Sequence, residues 1–259
     1  MATAKDLVDL QDTLYNSKNP TRRWLHCSRR DWIVDAIQRY SNNERTVAAE
    51  VGPGSGIYLP VLTALYQQVQ AVDIEEAYLD NARKRMADLP NLTLKTDDIT
   101  HSLLPDNAFD FILCTEVIEH IKDSQSALKH MWRLLKPGGI LLLSTPQRFS
   151  PLELSAKIAF LPGIIQIVRY IYQEPVLETG HINLMTETVV RRQLANAEFN
   201  VIENYKTGLY LPLIAEMLGQ SGLKFQQTLE KVLRDGLMDW LLWTQYYVCQ
   251  KPSDEKKLV

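Results

Sequence analysis

The chain has 259 residues, of which 46% are hydrophobic, so it can bury a sizeable core as one large domain with embellishments. Its 28 lysine and arginine residues face 31 aspartate and glutamate residues, and the net charge of -3 provides no general attraction to duplex nucleic acid. The 3 cysteines form neither a CxxC pair nor a zinc-binding spacing, which indicates a reduced, cytoplasmic setting. No apolar stretch approaches the ~20 residues that a membrane-spanning helix requires.

Strand-like apolar runs alternate with helical segments from Thr46 to Pro146, which predicts a parallel sheet with helices on both faces. The predicted strands are Val47–Val51, Val69–Asp73, Leu92–Lys95, Phe109–Cys114, Ile140–Ser144, Val201–Tyr205 and Thr244–Cys249. The predicted parts of the chain are a helical cap (1–45), an α/β core (46–148), a lid insertion (149–185), the remainder of the same domain (186–252, with a helical insertion at 211–240) and a disordered tail (253–259).

The helical cap is predicted to contain two helices, the second of which begins at Pro20. Around Trp24 and Trp32, this helix carries Arg22, Arg23, Arg29 and Arg30. We interpret these arginines as a solvated basic face, and phosphate contacts with an RNA substrate are the weaker alternative. Three histidines are interpreted as ordinary surface or packing residues: His26, His101 and His130.

A glycine-rich loop, Glu50-Val-Gly52-Pro-Gly54-Ser-Gly56, follows the first predicted strand. Glycines let the backbone approach a ligand closely, and the start of the next helix offers free N–H groups. A dinucleotide-binding fingerprint has the spacing G-x-G-x-x-G, whereas this loop has G-x-G-x-G and carries Ile57. The spacing therefore disfavours a nicotinamide oxidoreductase, and no Tyr-x-x-x-Lys pair supports one.

Four further motifs follow the loop: Ala-Val-Asp73-Ile, Thr-Asp-Asp98-Ile, Phe109-Asp-Phe-Ile-Leu and Leu135-Lys-Pro-Gly-Gly. In order and spacing, the five elements resemble class I S-adenosylmethionine (SAM) methyltransferases. The resemblance is firm over residues 45–148, and the C-terminal part agrees by topology only. It implies a Rossmann-like α/β fold with a seven-stranded sheet, N-terminal helices and helical insertions after strands 5 and 6.

The same resemblance implies where SAM binds. Asp73 occupies the place of the acid that accepts both ribose hydroxyls, and Asp98 matches the acid that accepts the adenine amino group. Ile99 is expected to lie against the adenine ring. The complete set of implied SAM-binding residues is Glu50, Gly52, Gly54, Gly56, Asp73, Ile74, Asp98, Ile99, Thr115 and Glu116.

The motif Glu116-Val-Ile-Glu119-His120 follows the fourth predicted strand, and on one helical turn its three polar side chains would face the same place. Two carboxylates and an imidazole suit a divalent cation such as magnesium, manganese or zinc. Another histidine, His181, lies downstream in Thr-Gly-His-Ile, just before a predicted helix.

These two pieces are similar to the ubiquinone-biosynthesis O-methyltransferases and, more distantly, to the small-RNA 2′-O-methyltransferases. The similarity implies four metal ligands: Glu116, Glu119, His120 and His181. The chain departs from the family at Ile182, where that family tends to have aspartate. Glu-His after this strand also occurs in SAM enzymes without a metal, and then His181 or His120 becomes a candidate general base.

The expected function is transfer of the SAM methyl group to a hydroxyl of a small, apolar or lipid-like acceptor. The sulfonium already activates the methyl group, so the protein chiefly aligns the attacking oxygen and excludes water. The alternatives are a non-catalytic SAM-binding subunit and a nicotinamide oxidoreductase. The intact glycine loop and strand-end acids argue against a decayed site, and the sequence leaves the oligomeric state open.

The segment from Phe149 to Glu174 lies where ubiquinone-type enzymes place an apolar insertion over the acceptor site. After a Pro162-Gly163 break, one helical face is predicted to consist of Ile164, Ile167, Val168 and Ile171. This helix either packs on the core or forms a lid that lines the acceptor pocket and contacts a membrane surface peripherally.

Overall fold

The computed structural model describes residues 13–161, 163–172, 180–234 and 236–253, and a sheet of seven strands forms its centre. The strands are β1 (Val47–Val51), β2 (Gln68–Asp73), β3 (Leu92–Thr96), β4 (Phe109–Thr115), β5 (Leu135–Pro146), β6 (Asn200–Thr207) and β7 (Thr244–Gln250). Their order is β3-β2-β1-β4-β5-β7-β6, and β7 alone runs antiparallel to the other six strands. All the predicted strands and the predicted fold class are thereby confirmed.

Helices cover both faces of the sheet. In chain order they are α1 (Pro20–Tyr40), α2 (Leu59–Leu65), α3 (Glu76–Arg85), α4 (Ser124–Leu134), α5 (Pro151–Ala159), α6 (Ile164–Tyr172), α7 (Glu187–Asn196), α8 (Pro212–Met217) and α9 (Gly219–Arg234), with short 3-10 turns at Ile118–His120 and Asp239–Leu241. Helices α8 and α9 lie within the segment 211–240, where the sequence predicts a helical insertion.

Strand alternation divides the core into two layers. On β4, Ile112 and Cys114 pack with α4 on one face of the sheet, whereas Phe111 and Leu113 pack with α1 and α2 on the other. Successive side chains of a strand point to opposite faces, and a strand buried on both faces reads as a continuous apolar run. Because β1, β2, β3 and β4 pair parallel, their carboxyl ends lie along one edge of the sheet, where ligands bind in such folds.

Strand β5 is longer than the sequence predicts. The sequence predicts a strand that begins at Ile140, whereas β5 begins at Leu135 and includes Lys136-Pro-Gly-Gly. A bulge between the Phe109 and Phe111 pairings with β5 absorbs the extra residues. Gly139 fits there because an added Cβ would lie 2.8 Å from the Lys136 carbonyl oxygen.

The helical cap is described in part. Helix α1 begins at Pro20, as predicted, and Asn19 caps it by accepting from the N–H groups of Thr21 and Arg22. Most of the first predicted helix falls outside the described residues, as does the predicted tail beyond residue 253.

The lid insertion contains two helices, α5 and α6, on either side of the predicted break. In α6, Ile164 and Val168 are partly covered, but Ile167 is 59% exposed, so the predicted apolar face is wrong at that position. Ile165, which the prediction did not include, is partly covered like Ile164 and Val168. The side chain of Ile171 is not among those that the structure describes. Within the described ranges, no single helix has the length and hydropathy to cross a membrane, although the bent pair α5 and α6 together meets both criteria.

Candidate active site

The glycine loop connects β1 to α2 and adopts a conformation that favours glycine. Gly52, Gly54 and Gly56 have φ angles of 70°, 52° and 75°, which other residues rarely adopt. The Gly52 N–H donates to the Val72 carbonyl at 2.8 Å, which holds the loop beside the end of β2. A Cβ at Gly52 would lie 2.4 Å from Cγ2 of Val117, so the loop also contacts the turn after β4.

A cavity opens between this loop, the end of β4 and helix α1. Its core-side walls include Glu50, Gly54, Thr115 and Glu116, and α1 contributes His26 and Arg29. The Glu50 side chain is 1% exposed, and its Oε2 has no hydrogen-bond partner. Burial raises the pKa of Glu50 to about 8. A buried acceptor without a donor is uncommon in proteins and indicates a place for a ligand.

Arg29 enters the cavity from the cap. Its Nη1 donates to Glu116 Oε2 at 2.6 Å, and the guanidinium lies 5.0 Å from the ring centroid of Trp243. The Arg29 side chain is only 14% exposed. The interpretation of all four cap arginines as a solvated face is therefore wrong for Arg29, because a carboxylate 87 positions along the chain neutralises it.

His26 is a second cap residue at the cavity, and its contact with Trp243 agrees with the interpretation of His26 as a packing residue. It lines the cavity, and its ring meets the Trp243 ring edge-on with 5.4 Å between centroids. Burial, together with the positive charge of Arg29, holds the pKa of His26 well below its usual value. A neutral imidazole therefore forms part of the cavity wall.

Asp73 lies at the end of β2, next to the glycine loop. Its Oδ1 accepts from the Glu75 N–H at 2.9 Å, and burial raises the pKa of Asp73 to about 6. The Asp73 carbonyl accepts from the Asp97 N–H at 3.0 Å, which brings the end of β3 beside the end of β2. The structure thus gathers the predicted ribose and adenine positions at one edge of the sheet.

Asp98 and Ile99 follow β3. Oδ1 of Asp98 accepts from the hydroxyl and the N–H of Thr100, which lower the pKa of Asp98, while the side chain remains 41% exposed. Ile99 is 6% exposed and packs in the core, whereas Ile74 is 63% exposed. Ile74 therefore offers more apolar surface to a ligand than Ile99 does.

A second cluster lies beyond β4 and contains Glu119, His120 and His181. Each residue offers one ligand atom, and these atoms lie within 4.8 Å of one another. The N–H groups of Ile182 and Asn183 donate to the Glu119 carbonyl at 3.0 and 2.9 Å. These two backbone hydrogen bonds bring His181 close to His120, which lies about sixty residues earlier in the chain.

Glu119 is fully buried, and its two oxygens differ. Oε2 accepts from the Thr145 hydroxyl at 3.0 Å, whereas Oε1 has no partner and lies 4.0 Å from His120 Nε2. Burial, followed by the nearby charge of Glu116, raises the pKa of Glu119 well above its usual range. Burial and the neighbouring His181 lower the pKa of His120. Both effects favour the neutral forms of Glu119 and His120.

The predicted metal ligand Glu116 does not join this cluster. The residues after β4 form a 3-10 turn that begins only at Ile118, and Glu116 itself has a positive φ of 55°. Its carboxylate is held by Arg29 and by the Ser144 hydroxyl, which donates to Oε1 at 2.8 Å. The helical spacing that placed both glutamates on one face is therefore wrong, and Glu116 instead lines the cavity at the glycine loop.

Glu153 and Trp243 are two further residues near His181 that the sequence does not reveal: Glu153 contacts His181, and Trp243 contacts Glu153. Oε2 of Glu153, on α5, lies 3.1 Å from Nδ1 of His181, and Oε1 accepts from Trp243 Nε1 at 3.0 Å. Ser150-Pro-Leu-Glu153 matches a helix-capping pattern, and the Ser150 hydroxyl accepts from the Glu153 N–H. That pattern could have located the start of α5, but no local signal shows that Glu153 meets His181.

Comparison with known proteins agrees with this geometry. A family model described as a methyltransferase domain matches residues 49–143. A probable SAM-dependent methyltransferase from Mycolicibacterium smegmatis is 32% identical over 104 residues, or 39% of each chain. A ubiquinone biosynthesis O-methyltransferase from Coxiella burnetii is 33% identical over 100 residues, which is 38% of this chain and 43% of that protein. The chain thus spans about two fifths of the length of these curated relatives.

Among solved structures, phosphoethanolamine N-methyltransferase 2 from Haemonchus contortus, in complex with SAM, superposes with a TM-score of 0.60. The match covers 97% of this chain and 58% of that one at 16% identity, so it shows the fold alone. The strand order, the glycine loop and the family match agree with one another: residues 49–143 match a methyltransferase domain, and the seven-stranded α/β fold is the one that solved methyltransferases have.

Proposed function

We propose that this protein transfers the methyl group of SAM to a hydroxyl of a small, apolar acceptor. The observation that carries the SAM site is Glu50, whose buried and unpartnered carboxylate oxygen lies beside three glycines of positive φ. The domain match supports SAM over a nicotinamide cofactor. The hydroxyl acceptor is supported by the relatives named as O-methyltransferases and by the cluster of Glu119, His120 and His181.

In this proposal, each part of the cavity holds one part of SAM. Glu50 accepts from the ammonium group of the methionine moiety, which supplies the donor that Oε2 lacks. Arg29 has five N–H donors and can hold the carboxylate while it remains paired with Glu116. Asp73 accepts the ribose hydroxyls, and Asp98, whose side chain is 41% exposed and whose Oδ2 lies 3.4 Å from His101 Nδ1, accepts the adenine amino group.

The chemistry then requires alignment rather than a covalent enzyme intermediate. The acceptor oxygen forms a bond to the methyl carbon as the bond from carbon to sulfur breaks, which leaves S-adenosylhomocysteine. The hydroxyl proton passes to His181 or His120, whose neutral form accepts it. Trp243 and His26, whose rings pack edge-on, would cover the side of the cavity that faces helix α1.

The same cluster fits a divalent cation. Glu119 Oε1 is a buried acceptor without a donor, and two imidazoles lie within the distance that one ion can span. We therefore include Mg²⁺, Mn²⁺ or Zn²⁺ in the proposal, held by Glu119, His120 and His181 but not by Glu116. Such an ion would lower the pKa of the acceptor hydroxyl.

The exposed apolar side chains of the lid insertion support peripheral membrane contact, consistent with an acceptor that has a lipid-like tail. Leu154, Ile158, Leu161 and Ile167 are 43–59% exposed on α5, on α6 and between them. This contact and a cytoplasmic location are part of the proposal.

The first prediction concerns the glycine loop. Gly54→Val forces a β-branched residue into a φ of 52° and fills space beside the ligand, so the Kd for SAM should rise at least about tenfold. Gly138→Val is the matched control, because Gly138 has a φ of 77° with open space around it and does not line the cavity. Calorimetry should show normal SAM affinity in the control. Equal affinity in both variants would contradict the site.

The second prediction is a pH dependence of SAM binding. Ionised Asp73 is the better acceptor for ribose hydroxyls, and its pKa of about 6 means that it protonates as the pH falls. The Kd should therefore rise roughly tenfold from about pH 7 to pH 5. Glu50 has a pKa of about 8 without ligand, and pairing with the SAM ammonium favours its ionised form, so loss of a proton from Glu50 on binding adds its own rise in Kd as the pH falls. Asp73→Asn should bind more weakly and show a shallower profile that lacks the Asp73 part, and an equally steep profile in this variant would assign the whole effect elsewhere.

The third prediction concerns the metal. The purified protein should contain about one divalent ion per chain, and chelation should reduce its activity on phenol and catechol acceptors. Glu119→Gln should lose the ion, whereas Glu116→Gln should retain it because Glu116 is directed toward Arg29. Elemental analysis measures both variants. Full activity after thorough chelation, with no ion found, would reject the metal and leave the histidines as bases.

The fourth prediction concerns the lid insertion. The protein should sediment with phosphatidylcholine vesicles with little dependence on salt, since the contact is apolar. The double change Ile158→Glu and Ile167→Glu should abolish sedimentation. Leu103→Glu is the control, because Leu103 is 90% exposed outside the insertion. Absence of vesicle binding, with no preference for long-tailed acceptors, would leave the insertion without a membrane role.

A further inference from the structure

Glu153 is a buried carboxylate that the proposed chemistry does not use. It lies in the first turn of α5, is 6% exposed, and both of its oxygens have partners. Oε1 accepts from the Trp243 indole N–H, and Oε2 lies 3.1 Å from Nδ1 of His181. A carboxylate buried at this level must be paired to remain stable, and here one partner lies just before β7 and the other in the loop before α7.

Trp243 is itself held firmly. Its N–H donates to the Gly208 carbonyl at 3.0 Å, its carbonyl accepts from the Gln147 N–H, and its side chain is 6% exposed. The indole N–H of Trp243 holds Oε1 of Glu153, and the Ser150 hydroxyl accepts from the Glu153 backbone N–H. These two contacts fix the direction in which Oε2 points. That oxygen meets His181.

A neutral imidazole has one N–H and one lone pair, and a hydrogen bond to either nitrogen determines which is which. If Nδ1 of His181 donates to Glu153, the lone pair resides on Nε2. The choice of tautomer matters because a ring nitrogen of His181 belongs to the cluster with Glu119 and His120. We propose that Glu153 is a positioning residue that holds His181 in the Nδ1–H tautomer, so that Nε2 is the atom that accepts a proton or binds an ion.

The contacts of Glu153 with Trp243 and His181 also join the proposed cofactor side of the site to the proposed acceptor side. The Trp243 ring that donates to Glu153 also packs against Arg29 and His26 of the SAM cavity. Glu153 therefore lies between the residues proposed for the cofactor and those proposed for the acceptor. The catalytic part of this inference rests on the proposed function, whereas the tautomer does not.

The test begins with the tautomer. Selective ¹⁵N labelling of histidine and long-range NMR in alkaline buffer report which nitrogen carries the proton, and His181→Gln assigns the signal. The wild type should show the Nδ1–H form, and Glu153→Gln should lose it. A glutamine offers one acceptor oxygen to two facing donors, so it cannot serve both Trp243 and His181. A predominant Nε2–H form in the wild type would overturn the inference.

Kinetics supply the second readout. With catechol acceptors of short and long tail, Glu153→Gln should reduce kcat about 10–100-fold, the range typical of residues that orient a catalytic or ligating histidine. The Kd for SAM should stay within about twofold, and Glu153→Asp should recover part of kcat because it restores the charge. Glu187→Gln, at a carboxylate paired with Lys206 and Arg191, controls for general destabilisation. Unchanged kcat in Glu153→Gln would also overturn the inference.

These readouts separate the two proposals. If the protein binds no SAM, the proposed function fails, but the tautomer of His181 still decides the role of Glu153. If SAM binds normally and the tautomer does not depend on Glu153, only the inference fails.

Discussion

The ion pair between Arg29 and Glu116 is the contact on which the site depends. It joins the helical cap to the end of β4, with both side chains more than four-fifths covered. Ser144 of β5 and Trp243 before β7 complete the surroundings of the two charges. Removal of one partner from a buried pair leaves an uncompensated charge, which typically costs about 3–5 kcal/mol. The cap is therefore part of the cavity wall rather than an accessory helix.

Glu50 and Glu119 illustrate a second constraint, the burial of carboxylates without complete pairing. Each has one oxygen that lacks a partner among the described residues, and burial raises the pKa of each. Both lie near the carboxyl edge of the sheet, one at the glycine loop and the other at the turn after β4. Such groups reduce the stability of the ligand-free protein, and a ligand that supplies the missing donors recovers that free energy.

The sequence predicted those parts of the molecule that are encoded in contiguous residues. The strands follow from apolar runs, the glycine loop from its spacing, and the position of Asp73 from the end of β2. The sequence failed where a partner comes from far along the chain. The burial of Arg29 depends on Glu116, and the role of Glu153 depends on His181 and Trp243. Helical periodicity also misplaced Glu116, because a positive φ redirects its side chain before the turn begins.

The contact between Gly52 and Val117 couples two motifs that are far apart in the sequence. A methyl group at position 52 would overlap the Val117 side chain, and Val117 directly follows Glu116. A larger residue in the glycine loop would therefore displace the segment that holds the Arg29 partner as well as the loop itself. Compensation would require a smaller side chain at position 117 together with a residue that tolerates a φ of 70° at position 52. Engineering of the cofactor loop must consequently treat these two positions as one unit.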